Sequence, residues 1–172
     1  MSTKSTQFTA YGVRYRTKQF TAIQGLEILS KTEKISPVDV LLNTEVQVDG
    51  DWFSLSEPFN INEYVKDATL ILPAMAVLNG VVDLVRDYNF GFIGDWSGVK
   101  VPKRLTEQSS SVSSNHVSPM VSQIIQDGAA TMRELEEYYS LQDAFKLFDV
   151  MVAKGLSEAL ANEAASKKVK RR

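Results

Sequence analysis

Residues suited to chemistry are few in this chain, and their surroundings argue against its use. The one histidine, His116, stands in a run that also holds Ser109, Ser110, Ser111, Ser113 and Ser114. A Ser-His-Asp arrangement needs its imidazole held rigidly by a second group, and a serine-rich run supplies no such frame. The chain has no cysteine, which removes thiolate nucleophiles, disulfides and Cys-based zinc sites together. Asp49-Gly50-Asp51 carries two carboxylates without the further ligands of a calcium loop. Gly91, Gly94 and Gly98 do not match a phosphate-binding loop, and no Lys-Ser/Thr pair follows them. Glu134, Glu136 and Glu137 form an acidic run at a predicted helix start, where the helix dipole favours negative charge. The sequence therefore predicts no enzyme, no cofactor and no metal site.

What must hold whatever function exists is an ordinary packed core. The chain has 172 residues, 44% of them hydrophobic and 23% charged, near globular averages. Its N-terminus lacks the apolar stretch of a secretory signal. The longest uncharged apolar run, Ala68 to Val82, is shorter than the roughly 20 residues that span a bilayer and contains Pro73, Asn79 and Gly80. No membrane association is expected. Net charge is −2, unevenly spread. Residues 1–104 nearly cancel, residues 105–166 carry 3 basic and 9 acidic side chains, and the last six residues return five positive charges. That basic tail has no interleaved aromatics, which weighs against a nucleic-acid partner.

The segment Phe8 to Arg16 alternates as a half-exposed strand does, with Tyr11, Val13 and Tyr15 on one face. Thr21-Ala22-Ile23-Gln24 is a capping box that opens a helix expected to reach about Lys34. Ser36-Pro37 opens a second, short helix. Asp49-Gly50 between alternating apolar residues predicts a β-hairpin at 44–55 with Val46 opposite Phe53, because a type I′ turn needs positive φ at both central residues. Asn60-Ile61-Asn62-Glu63 should open the main helical region. In it Val65, Ala68, Thr69, Leu72, Met75 and Ala76 lie on one stripe, and apolar residues through Val85 continue it nearly all round. Pro73 is expected to kink or split this helix.

The serine-rich residues 105–118 read as a linker. Beyond it Ser118-Pro119, Thr131-Met132-Arg133-Glu134 and Ser140-Leu141-Gln142-Asp143 each cap a short apolar run, and Gly128 ends the first. The fold class is thus α+β: an N-terminal α+β domain (1–104) with a hairpin and a central apolar helix, the linker (105–118), a short all-α module (119–166) and the basic tail (167–172). A module of some 45 residues is too small to stand alone and should dock on something.

Two clusters suit protein binding. Phe90, Phe92 and Trp96 lie in a glycine-rich aromatic loop, and Leu141, Phe145, Phe148 and Val152 form an i, i+4, i+7, i+11 stripe. The aromatic loop either plugs the core beneath the long helix or forms a binding patch, and the stripe must cover the N-terminal domain, a second copy or a partner. A flexible linker adds reach that a permanently docked module does not use, which favours a partner or a second copy.

Two stretches carry a family likeness. Phe20-Thr21-Ala22-Ile23-Gln24-Gly25-Leu26-Glu27-Ile28-Leu29 follows a strand, and an apolar helix later ends in Val85-Arg86-Asp87-Tyr88-Asn89-Phe90-Gly91-Phe92. Gly128–Leu135 and Tyr139–Ala144 come after. In this order they resemble the tail assembly chaperones of long-tailed bacteriophages. The resemblance implies a non-enzymatic factor of the host cytoplasm that coats or guides the tape-measure protein and recruits tail-tube subunits. The alternative is a structural subunit of the tail tip or baseplate, retained in the virion tail. The hairpin at 44–55 has no counterpart in this likeness.

Overall fold

A computed structural model describes residues 3–103 and 117–169, with side chains to Ser166. The serine-rich run, His116 and most of the expected linker fall in residues 104–116, outside the described residues, as do the side chains of the basic tail.

Four antiparallel strands, β1 (Ser5–Ala10), β2 (Val13–Lys18), β3 (Thr44–Val48) and β4 (Asp51–Ser54), form a sheet in sequence order. The predicted second hairpin is present in the expected register, Val46 opposite Phe53, with φ of 51° at Asp49 and 99° at Gly50. The first strand is corrected. Phe8 to Arg16 is not one strand but a hairpin, β1 paired with β2 from Ser5–Lys18 to Ala10–Val13. Tyr11 and Gly12 make its turn with φ of 52° and 76°, so Tyr11 leaves the face it was expected to share. A tyrosine is strained in left-handed backbone. Its ring lies against α4 (Ala74–Phe90) at Gly80, where a Cβ would come within 1.9 Å of the Tyr11 hydroxyl.

The inner sheet face meets α4. Tyr15, Val46, Leu55, Val77, Val81 and Val85 are buried there with Val40 and Leu41 of α2 (Pro37–Leu41). Burial pushes the Tyr15 hydroxyl up to about 12, with Tyr11 adding to the rise, and its oxygen has no hydrogen-bond partner. The outer face carries Arg14, Arg16 and Lys18. The Arg16 guanidinium pairs with Glu45 and lies 4.4 Å from the Trp52 ring centroid.

The predicted capping box at Thr21 forms, and the predicted N-cap at Ser36 forms as a full capping box with Asp39, but α1 (Ala22–Ser30) ends before Lys34 because Lys31 is already extended. The main helical region departs most from expectation. A short α3 (Pro58–Tyr64) starts two residues before Asn60, and Pro73 is the N-cap residue of α4. Between them Val65–Leu72 is not helical. Nor is α4 buried all round: Val77, Val81, Val85 and Asn89 face inward, while Met75 and Leu84 are exposed.

The C-terminal helices are α5 (Pro119–Gln126), α6 (Met132–Glu137) and α7 (Leu141–Val169). The Thr131 box and the Ser140–Asp143 cap form as read, Gly128 adopts φ of 70° after α5, and Ser118 makes no side-chain cap bond. The third helix is far longer than a short unit, 29 residues. These helices do not close a core alone. Ala22 of α1 is buried with Val121, Ile124, Ala130, Leu135 and Ala144, and Ile23 and Leu26 pack against them. What the small module docks on is therefore α1, a helix that belongs in sequence to the N-terminal region. The joint is also hydrogen-bonded: the Ala22 amide donates to the Tyr139 carbonyl at 2.8 Å and the Leu141 amide to the Phe20 carbonyl at 3.3 Å.

Candidate functional site

The residues named from sequence as protein-binding are packed within the chain itself. Phe92, Trp96 and Phe145 form a three-ring cluster with edge contacts and centroid separations of 5.4 to 5.8 Å. Phe90 lies 5.7 Å from Phe20. Leu141 is buried against α1, where a Cβ on Gly25 would come within 2.9 Å of it. Phe148 packs against the second core, and Val152 lines a cleft between α5 and α7. The two clusters do meet, through Phe145, but they meet each other. An apolar periodicity shows that a face must be covered; it does not show by what.

A run of exposed apolar side chains lies elsewhere, in the stretch read as helix. After Val65 and Asp67, both buried, residues 68–76 are all exposed. Leu70 is 75% exposed, Ile71 80%, Leu72 45% and Met75 66%. Four large apolar side chains in six residues face solvent, an arrangement that typically marks an interaction surface.

This loop is a built feature. The Asp67 carboxylate accepts hydrogen bonds from the Thr69 amide at 3.2 Å, the Thr69 hydroxyl at 2.5 Å, the Ile71 amide at 3.1 Å and the Leu72 amide at 3.2 Å. The Leu70 amide donates to the Asp67 carbonyl at 3.0 Å, closing a turn that holds Leu70 at φ of 56°. Those bonds, the Thr69 hydroxyl first, hold the Asp67 carboxyl below its ordinary value against the opposing effect of desolvation. On the inner side the Ala68 amide donates to the Tyr11 carbonyl at 2.9 Å. Gly12 approaches so closely that a Cβ there would meet the Ala68 Cβ at 2.7 Å. The β1–β2 turn thus braces the base of the loop, and Pro73 fixes its exit into α4.

A chain that spends a four-bond carboxylate clamp and one strained leucine on holding apolar residues outward has a rigid protrusion. Rigidity lowers the ordering cost of binding. The sequence held a partial signal: Asp67-Ala68-Thr69 is a local side-chain-to-backbone motif that competes with helix, and Pro73 disfavours helix at Leu72. Helical spacing of the neighbouring apolar residues obscured it.

Among the described residues no group of three or more His, Asp or Glu side chains is placed to hold a metal ion, and no helix is long and apolar enough to cross a membrane. Comparison with protein-family models, with curated proteins and with solved structures found no match.

Proposed function

We infer that this chain is a non-enzymatic protein-binding factor of bacteriophage tail assembly, a chaperone for the tape-measure protein and the tail-tube subunits, acting in the host cytoplasm. The observation that carries the protein-binding part is the clamped loop with Leu70, Ile71, Leu72 and Met75 turned outward. A tape-measure protein is long, helical and apolar along one side, and it must be kept from self-association until tube subunits close around it. A rigid apolar protrusion suits such a client, because it can enter the apolar stripe of a helix and release it without folding or unfolding. The phage assignment rests on the sequence likeness at Phe20–Leu29 and Val85–Phe92. Those two stretches touch through Phe20, Asn89 and Phe90.

The test is co-purification of the chain with a tape-measure fragment, comparing the native protein with the double variant Leu70→Ser/Ile71→Ser. Both side chains are already in water, so thermal stability should change little, within roughly 0.5 kcal/mol. Affinity should fall by about two to four orders of magnitude if both side chains are fully buried at the interface, since each contributes about 1.5–3 kcal/mol and 1.4 kcal/mol is about tenfold. Unchanged binding would remove the loop from the client site. Mass spectrometry of purified virions should find the protein absent; stoichiometric presence would make it a tail-tip or baseplate subunit.

A further inference from the structure

We propose that two copies of this chain join edge to edge through β1, pairing antiparallel about a two-fold axis at Gln7, so that their two sheets become one. The proposal is independent of the client reading.

The pairing of β1 with β2 decides which of its backbone groups face outward. The two-residue turn at Tyr11-Gly12, with positive φ at both positions, makes Ala10 and Val13 a pair that exchanges both hydrogen bonds. The alternation runs down the ladder to Gln19, whose amide donates to the Lys4 carbonyl at 2.8 Å. The even-numbered residues of β1 are thus bonded to β2. The N–H and C=O groups of Ser5, Gln7 and Thr9 point the other way, and among the described residues none of them has a hydrogen-bond partner.

The open length has defined ends. The Thr3 amide, next in the same outward series, donates to the Tyr138 carbonyl at 3.1 Å, and the Tyr11 carbonyl accepts the Ala68 amide at 2.9 Å. The chain itself therefore closes the edge before Ser5 and after Thr9, and what stays open is centred on Gln7. The opposite edge of the sheet is treated differently. There β4 is short, its outward residues are Trp52 and Ser54, and the Ser54 carbonyl accepts a hydrogen bond from Asn60 Nδ2 at 2.8 Å. Natural sheets blunt a bare edge with lysine, proline, a bulge or a covering element. Ser5–Ala10 carries no charge and no proline, and its register against β2 is unbroken.

Hydrogen-bond complementarity selects the occupant. An antiparallel copy centred on Gln7 sets Ser5 opposite Thr9 and Gln7 opposite Gln7, so every outward donor of one copy meets an outward acceptor of the other. The same register keeps both inner faces on one side of the joined sheet. On that side Thr6 stands opposite Phe8, both half-buried at the open edge, and the Phe8 ring, stacked on Tyr15, gains cover on its outer flank. A slip of one residue would set Phe8 against Gln7 and mix the two faces. A strand from a different protein needs side-chain recognition to be chosen, and Ser5, Gln7 and Thr9, all exposed, offer it neither charge nor apolar grip. An isologous contact needs only that the edge match itself.

The chain has no cysteine, so one introduced thiol reports one position. Full-length Gln7→Cys, treated with a short bismaleimide, should link into dimers. Ser5→Cys and Thr9→Cys should each fail to link alone, because antiparallel copies of either position lie about 14 Å apart along the strand, yet an equal mixture of the two should link. Linking of all three variants alone would mean a parallel pair, and linking of none would mean no pair at this edge; each result overturns the proposal. Sedimentation of the unmodified protein over a concentration series should show a monomer–dimer equilibrium. Gln7→Pro removes an outward N–H and leaves the bonds to β2 in place, and it should weaken dimerisation at least tenfold. Should that variant fail to fold, Gln7→Lys sets two like charges against each other at the axis. It should weaken the dimer likewise, with the circular dichroism of the dilute native protein preserved. A dimer that survives Gln7→Lys, or a native chain that stays monomeric throughout, would also overturn it.

Discussion

The side chain of Asn89 holds the backbone of Phe20. Its Oδ1 accepts the Phe20 amide at 2.8 Å, and its Nδ2 donates to the Val85 carbonyl at 2.9 Å, with the whole residue buried. This one amide fixes the strand-to-helix passage between β2 and α1 onto the end of α4, and so sets where α1 can receive the C-terminal helices. Replacing Asn89 by Ala leaves the buried Phe20 N–H unpaired. Urea denaturation should show a loss of about 1–3 kcal/mol, and the amide of Phe20 should exchange faster than its neighbours in β2.

Gly25 of α1 packs directly against Leu141 of α7. Gly25→Ala puts a methyl within 2.9 Å of Leu141 and should destabilise by about 1–3 kcal/mol through overpacking. Leu141→Ala alone should cost about 2–5 kcal/mol as a core truncation. The double variant should be more stable than the sum of the two single losses implies, since the alanine at 141 opens the space that the new methyl needs. Strict additivity in a double-mutant cycle would show that Gly25 and Leu141 do not constrain each other.

Tyr15 offers a prediction of the opposite sign. Its hydroxyl is buried without a partner, so Tyr15→Phe removes an uncompensated polar group while keeping the ring stacked on Phe8, 5.4 Å away. Stability should be unchanged or rise by up to about 1 kcal/mol, read as an increase in melting temperature. A fall of that size would mean that the hydroxyl is satisfied in solution, most simply by a bound water.

Acid should act on two clamps. The Asp39 carboxyl, held to about 2 chiefly by its Lys31 contact and then by the Ser36 cap, and that of Asp67, lowered by Thr69 and the loop amides, both titrate below their unfolded values. A depressed carboxylate stabilises fully above the ordinary value near 4, and the contribution is lost as pH falls through the folded value. Hydrogen exchange at Ile71 and Leu72 should therefore accelerate as pH is lowered below about 4, after correction for the intrinsic rate. Asp67→Asn should show the faster exchange already at neutral pH.

How much of this was legible depended on whether a local rule had a competitor. The caps at Thr21, Ser36, Thr131 and Ser140 and the Asp49-Gly50 turn were read correctly because their chemistry lies within four residues. The Tyr11-Gly12 turn was missed because tyrosine in left-handed backbone is stabilised from a distance, by Gly80 on α4. The apolar loop was missed because Leu72, Met75 and Ala76 fit a helical stripe, and only the Asp67 clamp makes a turn of that segment. Phe92, Trp96 and Phe145 were correctly seen as needing cover. That Phe145 packs on Phe92 and Trp96 depends on a joint between residues 53 and 49 apart in sequence, which no spacing rule contains.

Because α1 completes its core with residues from 121 to 144, order of synthesis matters. When a ribosome has released only the first hundred residues, the sheet and α4 can already pack, yet Ala22, Ile23 and Leu26 still face solvent. The nascent chain must carry that apolar face until the later helices emerge, and an interrupted product ending before them would keep it exposed. Such a fragment should aggregate or be degraded rather than persist as a half-sized version of the protein. The late-made helices thus act as a checkpoint on chain length, since only a chain translated past Ala144 can close its second core.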